Sequence, residues 1–473
     1  MCKNIKSLLY HSIKIRIDQN DNKKNNKSSF KQLGLILFLE NLKQPILGQI
    51  FHRYDSSVFR RSTLLIAFII PAFLANLFVH FFATRILNSQ NFGILYIAIT
   101  LTNVLFSGST LLHIVYTRYL IEVRQENGTK FSGQAMYQIQ RFIALWGGSF
   151  SGAIFIVFAL FGAPFGIHSD LLILMVVLDT YISYLTDLGR VYLQSMQKVF
   201  LLGMYTLIWM IIRLVLCLMG MKIFGTSWAV LLGSFLAGLV VFLGFQIYLR
   251  FEEKPESRTV MSLPSLKTLG SVFMGYGFVT IISNMDIFLT YFFLTGKDIG
   301  IYSASSVFPK GVLVVMTPII QMLFGVMIKG KIAEEEFRRI VRKSFGVVLA
   351  LTSVGTLFIW LTIPWTCGGV WGLHLCNAST LGVLLLTVVP LSLLRIAVVL
   401  DYVHGRDYLP LWLSLPVLMY MTVLWMVRPS IHGLANGFAV FSIGTLMFFL
   451  SVQKIDAQFR NRSETRTHES LPK

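Results

Sequence analysis

Leu87-Asn88-Ser89-Gln90-Asn91-Phe92-Gly93-Ile94-Leu95-Tyr96-Ile97-Ala98 joins one apolar run to the next, and Leu294-Thr295-Gly296-Lys297-Asp298-Ile299-Gly300-Ile301-Tyr302-Ser303-Ala304 repeats the pattern farther along the chain. Both stretches read Leu, five residues, Gly-Ile, then a Tyr and an Ala, and Gly300 stands 207 residues after Gly93. In each, a short polar break turns the backbone between two hydrophobic stretches, and the Gly lets that backbone pack closely as the second stretch begins. Neither break has room for a domain. A turn recurring at this offset predicts two related halves.

The composition around the turns fixes the solvent. Hydrophobic residues make up 55% of the chain and charged residues 13%, with a mean hydropathy of +0.68, more apolar surface than a water-soluble domain can hide. A helix crossing the hydrocarbon needs roughly 20 mostly apolar residues. Twelve such runs can be placed: Ser62–Thr84, Phe92–Thr117, Phe142–Gly166, Leu171–Gly189, Phe200–Met221, Thr226–Leu249, Thr268–Thr295, Gly300–Ile328, Ser344–Trp365, Thr380–Leu400, Tyr408–Val427 and Ile431–Gln453. The expected fold is an all-α polytopic membrane protein of twelve transmembrane helices in two six-helix lobes related by an internal repeat.

The positions of Lys and Arg set the orientation. Of 41, 34 lie in the two tails and the even-numbered connections, four in the odd-numbered connections (Arg85, Lys222, Lys297, Arg428) and three inside runs (Arg213, Lys310, Arg395). The positive-inside rule then puts both termini in the cytoplasm and the protein in the cell inner membrane. The net charge of +19 is a topology signal, helped by attraction to anionic inner-leaflet lipid, and needs no nucleic acid.

The expected organisation is a basic N-terminal tail over 1–61, a six-helix lobe over 62–250, a cytoplasmic linker over 251–267, a second lobe over 268–453 and a C-terminal tail over 454–473. Apolar residues from Leu33 to Phe51, interrupted by Lys43 and Pro45, predict an interfacial helix along the inner leaflet rather than a thirteenth span. The first long apolar run begins near Ser62, so no cleavable signal peptide is expected. Outer connections are short, the longest running from Thr366 to Ser379. A membrane glycan polymerase or transferase, which works with carboxylates on large outer loops, is therefore disfavoured. Cys367 and Cys376 share that longest loop, either as a disulfide or as two small interfacial residues. No phosphate loop, zinc-ligand pair or nucleophile elbow is present, so no metal, cofactor or enzymatic activity is expected.

An ionisable group inside the bilayer costs on the order of 3 kcal/mol and needs a partner, a wet cavity or a use. At about 1.5 Å of rise per residue, Asp286 and Lys310 lie at similar depth, 11 and 13 residues from the turn near Lys297. Asp179 and Arg213 are matched in the same way, 16 and 18 residues from Ser195. Each couple reads either as a structural ion pair between neighbouring helices or as charges facing a central cavity, Lys310 and Arg213 binding substrate while Asp286 and Asp179 pair or carry a proton. Arg395, near the inner end of its run, is expected to snorkel to the cytoplasmic interface. Asn76 and His80 share one face of the first run, lining a cavity or bonding between helices. Pro71, Pro309, Pro318, Pro390 and Pro416 are expected to bend their helices.

Arg85-Ile86-Leu87 leading into Asn91-Phe92-Gly93-Ile94 resembles the opening of the polysaccharide biosynthesis and O-antigen flippases of the multidrug/oligosaccharidyl-lipid/polysaccharide exporter superfamily. Asp286-Ile287-Phe288-Leu289, Ile299-Gly300-Ile301-Tyr302-Ser303-Ala304, Arg190 with Leu193-Gln194, and Arg213 carry the same resemblance, which extends from Ser62 to Gln453. The resemblance implies that the first, second, seventh and eighth helices line a central cavity. The implied work is to move an oligosaccharide carried on a polyprenyl diphosphate from inner to outer leaflet, with membrane lipids, H+ or Na+ and glycan polymerase machinery as further partners. Few basic residues occur in the lining helices, which disfavours a highly acidic glycan. The alternatives are an ion-coupled drug or metabolite antiporter of the multidrug and toxin extrusion (MATE) type, the disfavoured polymerase, and a non-transporting scaffold with a filled middle.

Overall fold

A computed structural model describes residues 56–127, 129–161, 170–252, 266–328, 334–370, 376–403, 406, 408–427 and 430–469. The proposed interfacial helix of the N-terminal tail and most of the 251–267 linker lie outside the described residues. Among the described residues there is no strand. The first half contains α1 (Ser56–Ile86), α2 (Ser89–Leu105), α3 (Ser107–Asn127), α4 (Thr129–Phe161), α5 (Asp170–Ser195), α6 (Val199–Phe224) and α7 (Ser227–Glu252). The second contains α8 (Leu266–Phe293), α9 (Gly296–Ile328), α10 (Glu334–Leu361), α11 (Ile363–Trp365), α12 (Ala378–Leu385), α13 (Val388–Val403), α14 (Ser414–Val427) and α15 (Ile431–Glu469). The helix expected to end at Gln453 continues to Glu469, through what was assigned to a tail.

Three of the twelve runs are each split into two helices, one of them Ser344–Trp365, which breaks at Thr362. Between α2 and α3 the chain breaks at Phe106, and Tyr184 Oη donates to the Leu105 carbonyl at 2.5 Å, giving a helix-end acceptor a partner inside the bundle. Between α12 and α13 the break covers Leu386 and Thr387. Pro390 has no N–H to return to the Leu386 carbonyl, which accounts for a break there. Elsewhere the prolines are absorbed: helix continues through Pro71 in α1 and through Pro309 and Pro318 in α9.

Among the described residues, six segments are long and apolar enough to span a membrane on their own, and a seventh is the pair Phe345–Leu361 and Ile363–Gly369, bent by 59°. The protein is thus a multi-pass membrane protein. Gly277–Phe293 of α8 and Leu409–Leu424 are apolar but shorter. Helices α8 and α9 bury Thr280, Ser283, Asn284, Asp286, Ser303, Ser305 and Ser306, so their polar residues face protein instead of lipid. Burial separates centre from periphery: 78% of the apolar window in α5 is buried, against 11% in α6. The large exposed side chains of α6, among them Ile208, Ile211, Val215 and Met219, fit an acyl-chain environment.

The two copies of the Leu-x5-Gly-Ile turn meet face to face. Asn88 accepts from the Asn91 N–H at 2.8 Å and starts α2, while the Asp298 N–H closes on the Thr295 carbonyl at 2.7 Å at the start of α9. Ser89 Oγ donates to the Lys297 carbonyl at 3.1 Å. A Cβ on Gly300 would stand 2.3 Å from both the backbone oxygen and Oγ of Ser89, and one on Gly93 would stand 2.9 Å from Ile299 Cγ2 and 3.0 Å from the Gly300 nitrogen. Only glycine permits so close an approach. Helix α2 packs along α9 below this contact, joining the halves.

Candidate functional site

A cavity of about 290 Å³ lies between the halves. It extends from His80 and Tyr96, near the turns, towards Ile69, Ser109 and Arg190, nearer the opposite end of the bundle. Helices α1, α2, α3, α5, α6 and α7 supply one wall, and α8, α9 and α13 the other. Phe73 of α1 reaches across to α9, where a Cβ on Gly311 would meet its ring at 2.6 Å. The cavity thus borders a place where the two halves touch through an aromatic ring and a glycine.

On the second wall, the depth match between Asp286 and Lys310 is realised as contact. Lys310 Nζ stands 2.6 Å from Asp286 Oδ1, and also donates to the Ser283 carbonyl at 3.0 Å and to Asn284 Oδ1 at 3.4 Å. Asp286 is 0% exposed and its Oδ2 accepts from Tyr302 Oη at 3.2 Å. An ammonium has three N–H donors, and Lys310 has three acceptors for them. Lys310 lines the cavity with its bonding capacity already used, and Asp286 lies behind it.

On the first wall, the expected pairing of Asp179 with Arg213 does not form: among the described residues neither makes an ion pair with the other. Arg213 Nη1 instead donates to Asn76 Oδ1 at 3.1 Å, bridging α6 to α1. Equal depth is one coordinate of two, and the guanidinium is turned towards α1. Asp179 is 3% exposed, and its Oδ1 has no hydrogen-bond partner in the protein. Nor do Arg213 Nε and Nδ1 of His80, whose ring meets Tyr96 edge-on at 5.6 Å. All four of Asn76, His80, Asp179 and Arg213 line the cavity.

Three further residues of this wall system were not chosen as site candidates from sequence. Trp209 stands four residues before Arg213, which places both on one face of α6. That spacing was legible. Arg190 is paired with Asp187 through a hydrogen-bonded salt bridge and lies 5.4 Å from the Trp209 ring centroid. Arg395 does not snorkel to an interface: it is 9% exposed, lines the cavity, and donates from Nη1 to the Leu313 carbonyl at 3.1 Å. Its position along α13 allowed snorkelling, but its azimuth points it inward against α9.

Away from the cavity, Cys367 and Cys376 form a disulfide, with Cα atoms 5.1 Å apart. Asn377, just beyond it, is held by its N–H donating to Ser305 Oγ at 3.1 Å, which ties this loop to α9. Among the described residues, no group of three or more His, Cys, Asp or Glu is arranged to hold a metal ion.

No family model matches the chain, and no curated protein sequence matches it. Solved structures do. The bent form of the Vibrio cholerae MATE transporter VcmN superposes with a TM-score of 0.61 at 15% identity, over 85% of this chain and 98% of that one. A MATE transporter in its bent conformation gives 0.56 at 13% identity over 86% and 96% of the two chains. An outward-facing multidrug resistance MATE transporter of the MOP superfamily gives 0.54 at 12% identity over 85% and 96%. The chain therefore has the twelve-helix, two-lobe fold seen in MATE transporters.

Proposed function

We propose that the protein is a transporter, not an enzyme, that moves an amphiphile with an anionic polar headgroup across the inner membrane. The substrate class we assign is an oligosaccharide linked to a polyprenyl diphosphate, carried from inner to outer leaflet for surface polysaccharide assembly. The observation that carries this reading is Arg213: a guanidinium on the wall of an interlobe cavity, bonded to a neutral Asn76 and not engaged in an ion pair among the described residues. Hydrocarbon would strip water from a diphosphate without replacing it, whereas a fixed guanidinium meets phosphate oxygens in a bidentate fork. The lipid tail can remain among phospholipids throughout.

With both termini cytoplasmic, the twin turns are the outer end of the bundle. Their contact then makes this an outward-closed state, with the cavity reaching towards the cytoplasm. Alternating access requires the turns to part. Arg213 is the primary headgroup contact in this reading. Lys310, with three acceptors already, serves the wall's structure and meets substrate only if Asp286 releases it.

The second reading, an ion-coupled drug or metabolite antiporter, is favoured by Asp179, a carboxylate on the same wall that could carry H+ or Na+, and by the fold likeness to MATE transporters. Proteoliposomes separate the two. With a fluorescent polyprenyl-diphosphate disaccharide in the membrane, the flippase reading expects a protected fraction that falls as label reaches the opposite leaflet, at a rate cut by Arg213→Ala. Unchanged scrambling together with gradient-driven uptake of a cationic dye would replace it with the antiporter.

A further inference from the structure

We infer that the first wall of the cavity contains a subsite for a hydroxyl-rich group, a sugar ring, built from Asp179 and Trp209 beside Arg213. This rests on the transporter reading above and deepens it by assigning the part of the headgroup that is not phosphate.

The first wall holds unused hydrogen-bonding capacity. Asp179 is 3% exposed and Trp209 6% exposed, and both line the cavity. Neither Asp179 Oδ1 nor Trp209 Nε1 has a hydrogen-bond partner in the protein, and Arg213 Nε on the same helix as Trp209 is in the same condition. Buried polar atoms are nearly always bonded, because desolvation without a replacement partner is destabilising. Several such atoms on one wall of a cavity are therefore places for a ligand's own groups. The opposite wall differs: Lys310 is fully engaged there by Asp286, Ser283 and Asn284.

The chemistry of the three atoms selects the ligand. An indole N–H only donates, an arginine Nε only donates, and an ionised carboxylate oxygen only accepts. A phosphate alone would satisfy the two donors but be repelled by Asp179. A quaternary or alkylammonium head would satisfy Asp179 but be repelled by Arg213 and give nothing to the indole. A hydroxyl both donates and accepts, so a polyol completes all three at once. His80, whose Nδ1 also has no protein partner, adds a fourth group on the adjacent helix. The wall thus divides the headgroup: phosphate oxygens on the outer nitrogens of Arg213, sugar hydroxyls on Trp209 and Asp179. A site built to bond a hydroxyl also discriminates strongly against analogues without one, because its own buried groups are then left unpaired.

The test uses the full-length protein in lipid nanodiscs and three probes with the same tail: octyl β-glucoside, octyl phosphate and octyltrimethylammonium. Affinity is read by saturation-transfer difference NMR titrations against empty nanodiscs. Trp209→Phe keeps the aromatic ring and removes only the N–H, and Asp179→Asn removes the charge at constant size. Each is expected to weaken octyl glucoside by about tenfold or more. Octyl phosphate should keep its affinity in Trp209→Phe, gain affinity in Asp179→Asn as the repelling charge is removed, and lose it in Arg213→Ala. If octyl glucoside binds equally well to the wild type and to correctly folded Trp209→Phe, the sugar subsite is wrong. Retention of Arg213-dependent phosphate binding would then leave the anionic-headgroup reading standing. Binding of octyltrimethylammonium alone, dependent on Asp179, would overturn both. Asp179→Asn is judged only with an unfolding temperature matching wild type, and Trp209→Phe keeps the subsite refutable should Asp179→Asn fail to fold.

Discussion

Gly300→Ala tests whether the contact between the twin turns holds that end of the bundle shut. The new Cβ would lie 2.3 Å from Ser89 O and Oγ, where ordinary contact begins at 3.4 Å, so the turns must part by about 1 Å. Ser89 Oγ can rotate away, but the Ser89 carbonyl is backbone and cannot. Overpacking of this kind costs ~1–3 kcal/mol. If the cost falls only on the closed arrangement, the ratio of closed to open molecules drops by roughly 5- to 150-fold. Gly93→Ala should act in the same direction but more weakly, since its nearest atoms, Ile299 Cγ2 at 2.9 Å and the Gly300 nitrogen at 3.0 Å, overlap less than the Ser89 oxygens at 2.3 Å do with Gly300. Gly296→Ala, with nothing within 4 Å, is the control on the same turn. Spin labels at Gln90→Cys and Lys297→Cys, both exposed positions, report the separation of the turns by pulsed electron spin resonance. The expected order of long-distance population is Gly300→Ala, then Gly93→Ala, then Gly296→Ala equal to wild type. An unshifted distribution in a folded Gly300→Ala protein would refute the reasoning.

Removing one member of the Asp286–Lys310 pair should be more harmful than removing both. Lys310→Met leaves a fully buried carboxylate without its cation, at ~3–5 kcal/mol, and Asp286→Leu added to it should recover most of the loss of unfolding temperature in detergent. Arg213→Gln is expected to lower the unfolding temperature only slightly, since it removes one hydrogen bond, to Asn76, while headgroup transport in proteoliposomes falls by at least about tenfold. Arg213→Lys should recover part of that rate, because a point charge replaces a bidentate fork. Reduction of Cys367–Cys376, or Cys376→Ser, should lower stability by ~2–3 kcal/mol, as the chain-entropy estimate gives for so short a loop, read as a lower unfolding temperature under reductant that Cys376→Ser removes.

Depth was legible in the sequence and azimuth was not. Counting residues from a turn at 1.5 Å each placed Asp286 level with Lys310, and they meet. The same count placed Asp179 level with Arg213, yet Arg213 turns to Asn76. It also put Arg395 within reach of an interface, whereas packing against α9 points it inward. An all-round apolar helix gives no moment from which to read its rotation, and α6 and α8 are of that kind. Polar spacing was the surviving clue: Asn76 and His80 on one face of α1 both line the cavity, and Trp209 with Arg213 on α6 follows the same i, i+4 rule. The partner that satisfies the Leu105 carbonyl at the Phe106 break was invisible because it is Tyr184, 79 residues away.

The repeat that organises the chain also explains why the cavity is lopsided. Carrying the Gly93–Gly300 register back one helix matches Asn76 to Ser283, and carrying it along the same helices matches Asn103 to Lys310; all four positions line the cavity. The two halves thus present equivalent positions to the same space. Asp286 matches Val79, which is 1% exposed and carries no charge. The second half therefore has both a buried acid and a cation where the first has neither. That joint presence or absence is what electrostatics demands, since either charge alone would be buried without a counterion. With Lys310 bonded to Asp286 on the second wall, Arg213, whose matched position is Tyr420, is the cation that the first wall holds through the neutral Asn76. A passage formed by two similar halves acquires a recognising side in this way, while the glycines that let the halves close on each other stay the same.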